Sequence, residues 1–343
     1  MRHETSRMSS LADYLRAWAG PSEPRAQIAA TVAALAEGSV RVATMLAEGP
    51  QEGDQDDGAH DAARRASALL ATALDGAPVA WLATEGSDTP VSIQPGSHLA
   101  VALDPLDGAR NAAVGAPAGT IFSILPVRSM AGSHGSLAFL QQGDRQLAAG
   151  CVLHGSYTAL ALTLREGTDL FMLDRGSGIF RLTRRGVKVP SGRYVYAINA
   201  ANYRYWSESV RAYVDDCIAG EDGPRGTDFN MRWLGCVTAE AMRILQRGGI
   251  YLYPGDSRPD HRQGRLHLVF DAHPLALLIE QAGGAASDGV EPILKTAARR
   301  LNERSPLVFG AREKVERVAG YETMNLPLGE RSPLFGRRGL FRV

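Results

Sequence analysis

The segment Asp104-Pro105-Leu106-Asp107-Gly108 carries two carboxylates three residues apart, directly after the apolar run LAVAL. Proline and glycine are expected to bend the chain at the end of a strand, so that both acids can turn toward one site. Hard cations such as Mg²⁺ bind several oxygens, and the Leu106 carbonyl is available as a further ligand. Gly108 permits a bend in which the next backbone amides face an anion. Taken alone, the motif also fits a calcium loop or an ordinary turn.

Three further carboxylates lie at the ends of predicted elements. Glu85 ends the apolar run VAWLATE, and Asp271 follows the predicted strand LHLVF, just before a helix. Asp61 stands at the start of a helix that follows the acidic segment GPQEGDQDDG, a predicted solvated loop. Each acid alone fits a turn, but carboxylates brought together from four element ends repel one another unless cations lie between them. The pattern therefore favours a metal-dependent phosphoryl-transfer site.

The elements that must position these acids alternate between helices and strands. Alanine-rich segments with helical spacing, including 26–46 and 62–74, precede short apolar runs that we predict to be strands of one large sheet. Beyond them, YVYAIN and GIYLYP are predicted strands, while SESVRAYVDDC, TAEAMRILQR and HPLALLIEQAGG are predicted helices. This order predicts an α/β protein with two halves, residues 1–190 and 191–343, that share one cleft.

The composition excludes several classes of protein. The 343 residues carry 37 basic and 37 acidic side chains, and a net charge of zero argues against a nucleic-acid surface. Three widely separated cysteines, Cys151, Cys217 and Cys236, match no zinc spacing and indicate reduced thiols in the cytoplasm. No apolar run was expected to reach the ~20 residues that span a bilayer. The N-terminus has charges where a signal peptide needs an apolar stretch.

Several motifs together resemble the class I fructose-1,6-bisphosphatase family. DPLDG, GTIFSILP, RWLG with GGIYLYP, and PLALLIEQAGG with SDG occur in the family's order, across residues 50–312. The related inositol monophosphatases share a DP[IL]DG motif but have a tryptophan-aspartate motif where this chain has FDAHPLALLIEQAGG. NAAN, RYW and FNMRW look most like the bacterial enzymes of carbon-fixation pathways. The resemblance implies a layered α-β-α-β-α sugar phosphatase sandwich with two mixed-sheet halves, which hydrolyses the 1-phosphate of fructose 1,6-bisphosphate.

The resemblance also implies a role for each residue that matches the family's motifs. The ligands of Mg²⁺, with Mn²⁺ as an alternative, would be Glu85, Asp104, Asp107, Asp271 and the Leu106 carbonyl. Asp61 and Glu85 would activate the attacking water. The phosphate being removed would meet Asp107, Gly108, Ala109 and Arg110. The distal phosphate would meet Asn199, Asn202, Trp233, Tyr253 and Arg265, with Arg232 supplied by a neighbouring subunit of a homotetramer or homodimer. Trp233 and Tyr253 fit core aromatics equally well.

Five residues depart from the family pattern. Gly86 replaces a second glutamate that shares in water activation, and Asp271 replaces a glutamate that is one methylene, about 1.5 Å, longer. Ala109 and Arg110 replace two serines, although their backbone amides are unchanged, and His267 replaces an arginine. These departures leave open a catalytically weak paralogue with a binding or regulatory role, or a related inositol or sugar monophosphatase. Sedoheptulose 1,7-bisphosphate is a second candidate substrate.

The sequence also allows predictions about regulation and about the role of His154. AMP-inhibited relatives have a lysine-tyrosine pair where this chain has His98-Leu99, and a glycine-threonine turn near PSEPRAQ. We therefore predict little or no inhibition by AMP. The cysteine-bearing insertion of light-regulated relatives is missing, which argues against thioredoxin control. His154, in VLHGSYT, is expected to be structural rather than catalytic.

Overall fold

Two mixed sheets carry the fold in the computed structural model, which describes residues 9–49, 58–127 and 135–323. Residues 50–57 of the predicted acidic loop, together with residues 1–8, 128–134 and 324–343, lie outside these ranges. The helices are α1 Leu11–Ala19, α2 Glu23–Ala47, α3 Gly58–Ala73, α4 Ala109–Ala112, α5 Glu208–Ile218, α6 Val237–Arg247, α7 His273–Gln281 and α8 Arg312–Thr323.

The strands of the first half form one large sheet. They are β1 Val79–Thr84, β2 Val91–Ser92, β3 Leu99–Asp107, β4 Ala118–Pro126, β5 Ala148–His154, β6 Thr158–Thr163, β7 Thr168–Asp174 and β8 Ile179–Arg184. Their order is β2-β1-β3-β4-β5-β6-β7-β8. β1 is parallel to β3, whereas the neighbours from β3 to β8 are antiparallel. The central strands β3 to β6 are buried on both faces, which explains why they are almost continuously apolar.

The strands of the second half form a smaller sheet and a separate pair. They are β9 Val195–Ala197, β10 Asn230–Met231, β11 Ile250–Tyr253, β12 Leu266–His267, β13 Ala285–Ser287, β14 Arg304–Ser305 and β15 Leu307–Gly310. The smaller sheet has the order β10-β9-β11-β15-β13, and β12 pairs only with β14. β9 is parallel to β10 and β11, while β15 runs antiparallel to β11 and β13. Both sheets are therefore mixed.

Helices cover both faces of each sheet. Helices α1, α2 and α3 pack together on one face of the large sheet, and α6 and α7 lie between the two sheets. Helices α5 and α8 pack on the far side of the smaller sheet. The predicted α-β-α-β-α sandwich is thus confirmed. The middle core draws on both halves of the chain, as Ile121 of β4 and Phe309 of β15 show. The division into domains at residue 190 stays a prediction.

Helix α2 corrects the expectation that no segment is long and apolar enough to cross a membrane. Its 25 residues pass that test by length and composition, and half of the apolar window is buried inside the protein. The reason is the high alanine content of α2. Alanine makes the helix apolar in composition, while its small side chain allows other helices to pack closely against it. Gly38 shows this closeness, since a Cβ there would lie 2.9 Å from the Leu70 side chain of α3.

The predicted strand LHLVF is also partly wrong. Only Leu266 and His267 form a strand, and Leu268–Ala272 form a single π-helical turn that runs directly into α7. The whole turn is buried between the sheets. A short run of buried apolar residues cannot be distinguished as strand or helix by periodicity, because neither face is polar. Asp271 consequently lies within this turn, not after a strand.

Candidate active site

A β-bulge at the end of β3 brings the two acids of the DPLDG motif to the same face. Asp104 lies opposite Ile121 of β4, and Asp107 lies opposite Gly119, so three steps on β3 face two steps on β4. In a regular strand, residues three apart point to opposite faces. The bulge, which includes Pro105, inserts one extra residue into β3, so that Asp104 and Asp107 point to the same face. Both carboxylates therefore point toward the layer between the sheets.

Asp107 is held by the N-terminus of α6. Its Oδ2 accepts a hydrogen bond from the Thr238 backbone N–H at 2.7 Å and lies 3.0 Å from the Cys236 Sγ, whose thiol donates to it. Cys236 also caps the helix, because its sulfur accepts from the Ala239 N–H. The positive end of the helix and two donors stabilise a negative charge at this position. This close approach is possible because Gly119 has no side chain: a Cβ there would lie 2.3 Å from the Thr238 side chain.

Asp104 and the bulge are fixed from the opposite side. The Asp104 Oδ1 accepts from the Leu106 N–H at 3.0 Å, and the Pro105 carbonyl accepts from the Thr120 hydroxyl at 2.9 Å. Nε2 of His154 lies 3.1 Å from the same hydroxyl oxygen, which has already donated its proton, so the imidazole donates from Nε2. Burial lowers the pKa of His154 to about 4. It is a neutral structural residue, in agreement with the sequence expectation.

Glu85 and Asp271 meet at His267. Nδ1 of His267 lies 2.7 Å from Oε1 of Glu85 and 3.8 Å from Oδ2 of Asp271. The backbone N–H of His267 donates to the same Asp271 oxygen at 2.7 Å, which closes the π-helical turn. The three side chains form the candidate metal cluster of the described residues, with one ligand atom of each within 4.8 Å of the others. The sequence identified His267 only as a departure, and the fold brings it into the acidic site.

The four acids act on one another electrostatically, which shows that the fold gathers them. Burial raises the pKa of Asp104, and the charges of Glu85, Asp271 and Asp107 raise it further. Burial also raises the pKa of Asp271, followed by the charge of Glu85. Burial raises the pKa of Asp107 despite its hydrogen-bond donors. For Glu85, burial is the largest influence and raises the pKa, but contact with the His267 imidazole, together with Asp104 and Arg304, lowers it overall. A buried set of acids of this kind is suited to a cation.

Gly108 turns the chain after the bulge. It has the left-handed φ of 73° and caps the short helix α4, with its carbonyl accepting from Asn111 at 2.8 Å. A Cβ at Gly108 would lie 3.1 Å from that of Cys236, so backbone strain and crowding both require glycine. Ala109 and Arg110 occupy the first turn of α4, where backbone N–H groups have no carbonyl of the same helix to bond. The backbone N–H groups of Ala109 and Arg110 therefore make no hydrogen bond to a carbonyl within α4.

Asp61 lies in the first turn of α3, a helix that packs against β3 and α4. Its carboxylate pairs with Arg64, one turn further along the same helix, and is 29% exposed. It stands beside the segment that carries the DPLDG acids without sharing their buried cluster. Its role in activating water stays a prediction.

Three of the predicted distal-phosphate residues, Asn199, Trp233 and Tyr253, lie at or just after the ends of the neighbouring strands β9, β10 and β11. The Trp233 ring stacks on Tyr251 at 5.7 Å and contacts Tyr253 at 5.8 Å. Trp233 and Tyr253 are half-buried against the middle core, so they serve the core and also present an edge outward. The exposed Arg232 continues β10, where its backbone N–H donates to the Tyr196 carbonyl.

Asn199, Asn202 and Arg265 are also at the surface or half-buried. Asn199 caps a 3₁₀ turn, with its Oδ1 accepting from the Ala201 N–H at 3.2 Å, and its carbonyl accepts from the Asn202 N–H at 3.0 Å. Arg265 precedes β12, two residues before His267, so one short segment links the metal cluster to the predicted phosphate donor. Contact of these residues with a phosphate stays a prediction.

Two residues that position the site were missed. Asn111 donates through Nδ2 to the Leu234 carbonyl at 2.8 Å and so ties α4 to the segment around Trp233. Glu240, fully buried in α6, accepts from the Leu234 N–H at 2.9 Å and pairs with Arg243 at 2.8 Å. A glutamate on the apolar face of TAEAMRILQR was the available signal, because a buried charge requires partners.

The layered sandwich and the buried acids at the bulge of β3 define the class of sugar phosphatases that the sequence predicted. Two family descriptions match the chain: "Fructose-1-6-bisphosphatase, N-terminal domain" over residues 66–185 and "Fructose-1-6-bisphosphatase, C-terminal domain" over 189–323. The chain belongs to the class 1 fructose-1,6-bisphosphatase family, and the resemblance read from its motifs is confirmed.

Individual relatives agree with this assignment. The chain is 44% identical to the class 1 fructose-1,6-bisphosphatase 1 of Xanthobacter autotrophicus, with 99% of this chain and 94% of the relative covered. It is 45% identical to the class 1 fructose-1,6-bisphosphatase of Methylorubrum populi, with 97% and 98% covered. The fold matches the apo form of Leishmania major fructose-1,6-bisphosphatase with a TM-score of 0.83 at 25% identity, over 92% of this chain and 100% of that chain. The predicted enzyme class, a phosphoric monoester hydrolase of this family, is confirmed.

Proposed function

We propose that the chain hydrolyses the 1-phosphate of fructose 1,6-bisphosphate, to give fructose 6-phosphate and phosphate, and that it requires Mg²⁺, with Mn²⁺ as an alternative. The observation that carries the proposal is the gathering of four acids, Glu85, Asp104, Asp107 and Asp271, into one site, where the charges of the other three raise the pKa of Asp104, within a chain of this family. Sedoheptulose 1,7-bisphosphate, which also has a phosphate at each end, is proposed as a second substrate.

The acids present fit a divalent cation. Asp104 and Asp271 are buried, and Oδ1 of Asp271 has no hydrogen-bond partner in the described parts of the chain. An unpaired buried carboxylate oxygen is costly unless something positive binds it. The residues that would hold the ion are Glu85, Asp104, Asp107 and Asp271, with the Leu106 carbonyl. When bound, the cation would neutralise phosphate charge and lower the pKa of a coordinated water.

The surrounding residues would orient the substrate and move the proton. Asp61 and Glu85 would take a proton from the attacking water, and the packing of α3 beside the DPLDG segment supports this role for Asp61. The amides of Ala109 and Arg110, turned by Gly108, would donate to the phosphate that leaves. Such contacts hold the phosphorus in line between the water and the sugar oxygen.

The distal phosphate would bind at the edge of the smaller sheet. Donors of the types present there, amide, phenol, indole and guanidinium, suit a dianion. They are Asn199, Asn202, Trp233, Tyr253 and Arg265, together with Arg232 from a neighbouring subunit of a homo-oligomer. We further propose that the protein works in the reducing cytoplasm, since its three cysteines are free and buried.

Phosphate release from fructose 1,6-bisphosphate, measured with Mg²⁺ and with EDTA, tests the proposal. Release should disappear with EDTA and in Asp104→Ala, whereas Asp75→Ala, which removes an exposed acid in the turn after α3, should retain it. Fructose 1-phosphate should be a much poorer substrate, because it lacks the distal group. Equal rates with both sugars would indicate a monophosphatase, and no release from any sugar phosphate would indicate a non-catalytic paralogue.

The predicted insensitivity to AMP is contradicted if micromolar AMP changes the rate.

A further inference from the structure

His267 and Asp271 point their side chains into the acidic site with unsatisfied atoms. Both side chains are 5% exposed, at the two ends of the π-helical turn. The bond from the His267 N–H engages Oδ2 of Asp271, which leaves Oδ1 without a partner in the described residues. Nδ1 of His267 also has no hydrogen-bond partner there, although Oε1 of Glu85 is only 2.7 Å away.

Two separations in this group fit ligands around one ion, and the three ligand atoms all lie within 4.8 Å of one another. Donors that share a first-row cation at ~2.1 Å from each can be no more than ~4.2 Å apart. Nδ1 of His267 meets this limit with both carboxylates, at 2.7 Å to Glu85 and 3.8 Å to Asp271. An ion between the three would satisfy Nδ1 and could engage the orphaned Oδ1 of Asp271.

We propose that Nδ1 of His267 is a direct ligand of the divalent cation, beside Glu85 and Asp271, and that it strengthens the binding of a first-row transition ion such as Mn²⁺ more than the binding of Mg²⁺. The inference rests on the proposed function, because the same acids hold the ion. Imidazole nitrogen is a ligand of first-row transition ions, among which Mn²⁺ binds most weakly, whereas Mg²⁺ is a hard cation that binds oxygen and keeps several of its waters. The ring is fixed for this task by its edge-on contact with Phe270, at 5.7 Å between centroids.

Pulsed electron paramagnetic resonance of the Mn²⁺-loaded, full-length protein tests the ligand directly. A directly bound imidazole gives a ¹⁴N coupling to the Mn²⁺ electron spin. The coupling should be present in the wild type, absent in His267→Gln, and unchanged in His98→Gln, which alters an exposed histidine in the same way. A wild-type spectrum without ¹⁴N coupling, or a coupling that survives in His267→Gln, overturns the proposal. So does a failure to bind Mn²⁺.

Affinities measured by isothermal titration provide a second readout. Loss of even an outer partner of a metal ligand typically costs 10–100-fold in affinity, so His267→Gln should weaken Mn²⁺ binding by at least about tenfold. Mg²⁺ binding should change much less, and equal losses for both ions would show that His267 only positions Glu85. Phosphate release is a separate measurement. A wild type with ¹⁴N coupling but no phosphatase activity refutes the proposed function and leaves the ligand assignment intact.

Discussion

Replacing Gly119 by alanine should separate the N-terminus of α6 from the bulge that carries Asp107. The new Cβ would lie 2.3 Å from the Thr238 Cβ, 2.3 Å from its Oγ1 and 2.4 Å from its Cγ2. Non-bonded heavy atoms normally stay ~3.5 Å apart or more, so Thr238 must move by about 1 Å. That movement stretches the 2.7 Å hydrogen bond from the Thr238 N–H to Asp107 beyond its useful range.

The expected cost combines crowding and a lost charged hydrogen bond. Overpacking costs about 1–3 kcal/mol and a hydrogen bond to a charged group contributes about 1.5–3 kcal/mol, which gives a loss of about 2.5–6 kcal/mol in the free energy of unfolding. Equilibrium urea unfolding, followed by circular dichroism, measures it. Mg²⁺ should also stabilise the variant less than the wild type, because Asp107 is displaced.

Two variants make the comparison specific. Gly155→Ala is the matched control, since its Cβ would meet nothing closer than 3.9 Å. Gly119→Ala combined with Thr238→Gly removes the side chain responsible for the clash, so the double variant should be more stable than additivity of the single changes predicts. If Gly119→Ala unfolds like Gly155→Ala, or if the two changes are additive, close packing of Gly119 against Thr238 does not stabilise the protein.

Three further predictions concern residues around the same site. Glu240→Ala leaves Arg243 without its buried partner and should lower the free energy of unfolding in urea by about 3–5 kcal/mol. Glu240→Gln should lower it by less. His154 has its pKa lowered to about 4, so its contribution to stability is present above pH 6.5 and lost as the pH falls toward 4. Between pH 7.5 and 5 the wild type should therefore lose about 2 kcal/mol more than His154→Gln, and equal losses would contradict a neutral buried imidazole. Gly108→Ala, which strains φ and crowds Cys236, should lower kcat for phosphate release and leave little of the Mg²⁺-dependent rate, whereas an unchanged rate would show that the turn is not required.

Elements with a regular local pattern can be predicted from the sequence, whereas elements that depend on distant residues cannot. Helix spacing in α2 and α6 and the apolar runs of β3 to β6 were visible in the chain, because these elements bury a regular face or both faces. LHLVF was misread for the same reason: its residues are all buried, and the wide turn that replaces most of the predicted strand depends on the bond from His267 to Asp271.

The sequence by itself determined the acids of DPLDG, the glycine that must turn after them and the family to which the chain belongs. These depend on residue types at short spacing, which a single segment records. Tertiary structure decided that a bulge opposite Gly119 puts Asp104 and Asp107 on one face, and that α6 supplies donors to one of them. It also decided that His267 lies against Glu85, 182 positions away in the chain. Contacts over such separations depend on which strands pair and which helix packs between the sheets, and no local pattern contains that information.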